Sequence, residues 1–104
     1  MDLVLHRFLT GIKRTSSPKQ SIGFLKAVLT PKEFVQIPKR LEILKLLLLG
    51  NKQRDISRNL KVAIGTVTRG SIVLKNLEET KPDWWTMFKK SNRFPSSDPY
   101  ANLL

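Results

Sequence analysis

Between Gln53 and Arg69 the chain sets amide, guanidinium and hydroxyl groups a few residues apart: Gln53, Arg54, Ser57 and Arg58, then Gly65, Thr66, Thr68 and Arg69. Amide and guanidinium groups donate to phosphate oxygens. A threonine hydroxyl can bond phosphate or a base edge, and its methyl can meet a thymine methyl. Gly65, without a side chain, lets a backbone come close to a partner. Lys52 and Arg54 suit phosphate contacts, which position a protein without specifying sequence. A carboxylate pair, a nucleophile–base set and a phosphate-cradling glycine loop are all missing from the sequence. The chemistry on offer is therefore recognition, not catalysis.

Elements must hold these groups. Ile56 and Leu60 lie one turn apart, and Ile64, Val67 and Leu74 repeat at helical spacing. The spacing predicts helices over 53–60 and 64–75, joined by Lys61-Val62-Ala63 with Val62 turned inward. Two short helices at a steep angle across so tight a turn make a helix-turn-helix. Its second helix can enter a major groove, and its free N–H groups favour a phosphate. The expected DNA-facing set is Gln53, Arg54, Ser57, Ala63, Ile64, Gly65, Thr66 and Thr68. The plain alternative is a helical hairpin with a solvated basic face.

Upstream helix starts are marked locally. Ser17-Pro18-Lys19-Gln20, Thr30-Pro31-Lys32-Glu33 and Thr80-Lys81-Pro82-Asp83 each offer a capping hydroxyl, with an amide or carboxylate three residues on. In the first two, proline takes the first helical position. Gly50 suits the left-handed residue after a helix. Helices are expected near 2–14, 18–28, 31–48, 53–60, 64–75 and 81–90, with no strands. Leu41, Ile43, Leu44 and Leu46–Leu49 cover most faces of the third helix, more than one stripe requires. A second subunit is the simplest cover, and the central helix of a monomeric bundle is the other. Residues 1–90 read as one domain and 91–104 as a loose tail.

The chain carries 19 Lys plus Arg against 8 Asp plus Glu, a net charge of +11. A polyanion is the expected partner, since each neutralised phosphate releases a counterion. Basic density peaks over Asn51–Lys75, where six bases face Asp55 alone. Cysteine is absent, which excludes disulfides and thiolate chemistry. His6 has no acidic or thiol cluster beside it, so no metal site is expected. The start lacks signal-peptide order and Leu46–Leu49 is too short to span a bilayer, so a soluble cytoplasmic protein is expected.

The stretch Gly65-Thr66-Val67-Thr68-Arg69-Gly70-Ser71 with Leu74-Lys75 resembles the tryptophan repressor family signature. Leu29-Thr30-Pro31-Lys32-Glu33, Arg40, Ile43, Leu47-Leu48, Gly50 and Gln53-Arg54 match its pattern in order, from about Leu5 to Lys75. The resemblance implies an all-α, intertwined homodimer whose helix-turn-helix heads bind a palindromic operator as a repressor. It implies L-tryptophan as corepressor. Arg40 and Arg69 would sandwich the indole and bond the carboxylate, Gly70 would leave room for the ring, and Leu44 would line the pocket. Backbone carbonyls near Ala27, Leu29 and Thr30 of the partner would accept from the ammonium. Arginine suits this role, because its plane stacks on rings and its fork matches a carboxylate. Without the resemblance, Arg40 and Arg69 read as surface or DNA-facing bases.

Four departures stand out. Val73 replaces a small hydroxyl residue near the ligand's amino group. Ala27 replaces a larger apolar residue, Lys61 a turn glycine, and one residue is missing between Gly50 and Gln53. The same fold with another ligand or none is the second reading, and a basic RNA-associated or scaffolding module the third. Leu5, Phe8, Leu9 and Ile12 read as dimer core. Trp84, Trp85 and Phe88 read as one packing face of the last helix, with single-strand stacking as the alternative. Phe94 and Tyr100 carry no assigned role.

Overall fold

The first three helix starts are closed by short-range side-chain hydrogen bonds. The computed structural model describes residues 2–92. Among them are six helices and no strand: α1 Leu3–Lys13, α2 Pro18–Val28, α3 Pro31–Leu48, α4 Gln53–Leu60, α5 Ile64–Thr80 and α6 Asp83–Ser91. Asp2 caps α1 by accepting from the Val4 N–H at 3.0 Å. Thr30 and Glu33 form a reciprocal box: the Glu33 N–H donates to the Thr30 hydroxyl at 3.1 Å, and the Thr30 N–H to the Glu33 carboxylate at 2.9 Å. The Thr30 N–H, which has the larger effect, and the Thr30 hydroxyl hold the Glu33 carboxyl below its usual pKa. At α2, Ser17 accepts from the Gln20 N–H at 3.2 Å, but the Gln20 amide oxygen reaches back one residue further, to the Ser16 N–H at 2.8 Å.

The third expected start needs correction. Thr80 does not open a helix; it closes α5, and its hydroxyl donates to the Asn76 carbonyl at 2.8 Å. Helix α5 runs five residues beyond the expected Lys75, and Lys81 stops it in the left-handed conformation, φ 47°. Helix α6 then begins at Asp83 after Pro82, with no side-chain cap.

The residues fall into two compact units, Met1–Ile37 and Pro38–Leu104. The division comes inside α3 at Pro38, which has no N–H for the Phe34 carbonyl and whose ring crowds the preceding turn. In the first unit α1 and α2 meet closely. A Cβ on Gly11 would lie 2.5 Å from the Phe24 ring, and the Phe8 and Phe24 rings are 5.9 Å apart. Lys26 sits over the Phe34 ring at 5.5 Å. No described side chain in this unit is fully buried, and Leu5, Phe8, Ile12 and Ile22 are exposed.

The second unit holds the core, in two clusters. Ile43 and Leu46 of α3 pack with Ile56 of α4 and Val67 of α5. Leu44 packs with Leu77 of α5 and Trp85 of α6, flanked by Leu74 and Phe88. The apolar circumference of α3 is thus covered on two sides from within its own chain. A second subunit is not needed for Ile43, Leu44 and Leu46, each 8% exposed or less. Lys45 on the same helix is also buried and pairs with Glu42. The α3 end is a paired Schellman closure: the Gly50 N–H donates to Leu47 O and the Asn51 N–H to Leu46 O, both at 3.0 Å, with Gly50 at φ 91°.

The aromatic face of α6 also splits. Trp85 is fully buried and stacks on Phe88, ring centroids 6.0 Å apart, while Trp84 is 58% exposed. Trp85 and Phe88 are one turn apart; Trp84 is rotated away from them by one residue's step. Of the expected tail, Ser91 ends α6, and the Asn92 amide donates to Phe88 O at 2.9 Å. Phe94, Tyr100 and the rest of 93–104 lie outside the described residues.

Candidate nucleic-acid interface

The pair α4–α5 is fixed at its turn. Lys61 takes the left-handed conformation, φ 55°, which costs a non-glycine residue about 1 kcal/mol. The Val62 N–H donates to Ser57 O at 3.1 Å, and the Ser57 hydroxyl donates to Val62 O at 2.7 Å. Val62 then packs against the Ile56–Val67 cluster with Leu60. Turn, side-chain bond and core contact agree on one geometry, so the angle between the two helices is set locally.

This changes the reading of several side chains. Ser57 is half-buried and its hydroxyl serves the turn. The Thr68 hydroxyl reaches the Gln53 amide oxygen at 3.0 Å and the Ile64 carbonyl at 3.1 Å, linking the two helices. Ile64 is 52% exposed and does not face inward as its spacing predicts; Val67 is fully buried and Leu74 half-buried. Ile64 occupies the first residue of α5, where the chain is still leaving the turn, so periodicity alone misplaces it.

The first turn of α5 is the outward feature. Ala63, Ile64 and Gly65 are exposed, and Thr66 is half-buried. A Cβ on Gly65 would meet nothing within 4 Å. Its glycine therefore fills no packing need in the fold, although glycine costs a helix about 1 kcal/mol relative to alanine. Lys52, Arg54, Arg58, Lys61 and Arg69 are exposed on the same two helices and their turn, and Arg58 bonds Asp55 at 3.4 Å. The pair thus combines an exposed helix start with several exposed cations.

The residues expected around a ligand are placed as follows. Arg40 and Arg69 are exposed, and Val73 is 39% exposed. Leu44 is buried against Leu77 and Trp85. A Cβ on Gly70 would lie 2.6 Å from Ile43 Cγ2, so this glycine permits the close crossing of α5 over α3. Ala27, Leu29 and Thr30 belong to the first unit, at the junction of α2 and α3. Among the described residues no group of three His, Cys, Asp or Glu could hold a metal ion. No helix among them is long and apolar enough to cross a membrane.

Residues 4–89 match the family model described as Trp repressor protein. The chain belongs to that family. It is 40% identical over 84 residues to a Trp operon repressor homolog of Actinobacillus succinogenes, covering 80% of each chain. A Trp operon repressor homolog of Vibrio parahaemolyticus is 38% identical over 73 residues, 69% of this chain and 71% of that one. One from Photobacterium profundum is 37% identical over 70 residues, 66% and 68% of the two chains. No solved structure gives a significant match. The Trp repressor match spans α1 through most of α6, so it includes the Trp85 cluster as well as the α4–α5 pair.

Sequence reasoning missed the Thr68–Gln53 bond, for which spacing gives no signal, since the partners are fifteen residues apart. It also missed Pro38 and the burial of Lys45. Lys61 was within reach, as a lysine standing where the resemblance supplies glycine.

Proposed function

We propose that this chain is a double-stranded DNA-binding transcription regulator, a repressor acting as a homodimer, with α4–α5 as its helix-turn-helix. The observation that carries the reading is the first turn of α5: exposed, glycine-bearing at Gly65 for no internal reason, in a helix pair that also carries exposed lysine and arginine. Such an end can approach base edges while the flanking cations hold phosphates. Family membership supports the regulator class. The dimer is supported by the first unit, whose apolar side chains on α1 and α2 remain exposed in a single chain.

Selection from a pool of random duplexes tests the function. The chain should enrich one palindromic sequence, because a two-fold dimer presents two equivalent heads. No enrichment, with single-stranded RNA competing equally, overturns the DNA reading.

We infer L-tryptophan as the corepressor, held by Arg40 and Arg69. A regulator of the same fold with a different ligand, or none, is the second reading. It is favoured by Val73, which puts a branched apolar side chain where the resemblance places a hydroxyl. Titration calorimetry with L-tryptophan separates the two, and no heat at high micromolar ligand removes the tryptophan reading.

A further inference from the structure

Between Gln53 and Arg69 lie three hydroxyls, on Ser57, Thr66 and Thr68. That of Ser57 is held by Val62 O. That of Thr68 has one proton and two acceptors in reach, Ile64 O at 3.1 Å and Gln53 Oε1 at 3.0 Å. The two choices have opposite consequences for Gln53. With the proton on Ile64 O, the hydroxyl oxygen can only accept, so the Gln53 amide turns its N–H group to Thr68 and shows its carbonyl outward. With the proton on Oε1, the carbonyl is held inward and both amide N–H bonds face out. Gln53 is half-buried, next to the exposed Lys52 and Arg54. A phosphate arriving there accepts hydrogen bonds and offers none, so the second state meets it with two free N–H donors and the first with only one.

We propose that Thr68 is a positioning residue: its hydroxyl pins the Gln53 carboxamide oxygen, so that the amide N–H group is held ready for a DNA phosphate. The inference rests on the DNA-binding reading above. It removes Thr68 from direct contact with DNA and gives Gln53 a single polarity. Because a phosphate carries no sequence, the effect is equal on every duplex. Because the donor is neutral, it leaves the salt dependence of binding unchanged, whereas a lysine on phosphate contributes about one unit of slope.

The test is a double-mutant cycle read by fluorescence anisotropy. The probes are a duplex recovered from the random pool and a scrambled duplex of the same composition. Thr68→Val keeps the shape and removes the hydroxyl; it should weaken binding to both duplexes by about fivefold, the worth of one hydrogen bond. Thr68→Ser should bind within about twofold of the parent. Gln53→Ala should lose at least as much as Thr68→Val, and in that background Thr68→Val should cost almost nothing further. Lys61→Ala should flatten the salt dependence while Thr68→Val leaves it unchanged. Thr68 is exposed and Gln53 half-buried, and circular dichroism of each variant checks folding.

Losses that multiply in the double variant would make Thr68 a DNA contact in its own right and overturn the proposal. So would a loss confined to the recovered duplex, which marks base reading. Unchanged binding of Thr68→Val, with Thr66→Ala weakened, would overturn it and leave the DNA reading standing. If the parent binds neither duplex, the DNA reading itself fails.

Discussion

At the scale of single residues, glycine and left-handed positions separate folding from recognition. Gly70 and Gly65 lie five residues apart on α5 and do opposite things. Gly70 is needed inside: a methyl there would press on Ile43 at 2.6 Å. Gly70→Ala should lower stability by about 1–3 kcal/mol, the usual cost of overpacking. Thermal denaturation reads this directly, and an unchanged midpoint would mean that α3 and α5 separate without cost. Gly65 is open on all sides, so its reason lies outside the chain. From sequence, Gly65 reads as a close-approach position and Gly70 as room for a ligand ring, but the contact of Gly70 with Ile43 was not legible, because that neighbour comes from another helix. Arg40 and Arg69 show the same limit. Both are exposed, and nothing in their packing distinguishes a ligand-binding arginine from a surface one.

At the scale of elements, one carboxylate adds polar bonds to the apolar anchoring of α6. Glu78 on α5 accepts from Trp85 Nε1 and from Lys89 Nζ, each at 2.7 Å, and Lys89 lies over the Trp85 ring at 5.5 Å. The bond from Lys89, then that from Trp85, with Lys81 adding a weaker attraction, hold the Glu78 carboxyl below its usual pKa. A carboxyl depressed by folding stabilises the fold above its unfolded pKa of about 4.3, and that contribution is lost as the pH falls through the folded value. The α6 attachment should therefore loosen below about pH 4. With Trp84 replaced by phenylalanine, Trp85 emission should shift red over this acid range, and Glu78→Gln should remove most of that step. An identical acid step in Glu78→Gln would assign it to other groups. Neither this cluster nor the end of α5 could be read from spacing. The caps at Ser17 and Thr30 act within a few residues, so they were legible. Thr80 carries the same local signal, yet α5 continues through it because Leu77 is buried against Leu44 and Trp85.

At the scale of the molecule, the two units give different information about assembly. All-helical architecture, five of the six helix starts and the α4–α5 pair follow from capping residues and periodicity in the sequence. The covering of α3 does not. Its leucines suggested a partner subunit, yet the buried ones meet α4, α5 and α6 of the same chain. Burial is least complete in the first unit, where no described side chain is fully buried and Leu5, Phe8, Ile12 and Ile22 stay exposed. A homodimer built through these residues should sediment as twice the 11.9 kDa chain. Phe8→Lys should shift it toward the monomer, because a charge would have to be buried unpaired. A monomeric parent chain would remove the dimer.

The most direct test of the central claim, that the first turn of α5 reads DNA, is the affinity of Thr66→Ala for the duplex recovered from the random pool. Thr66 sits beside Gly65 at the exposed helix start, and α5 packs through Val67, Gly70 and Leu77. The substitution should weaken binding by about tenfold, within the cost of one lost base contact, while sedimentation and helical content stay as in the parent. An unchanged affinity with the fold intact would place the reading surface elsewhere.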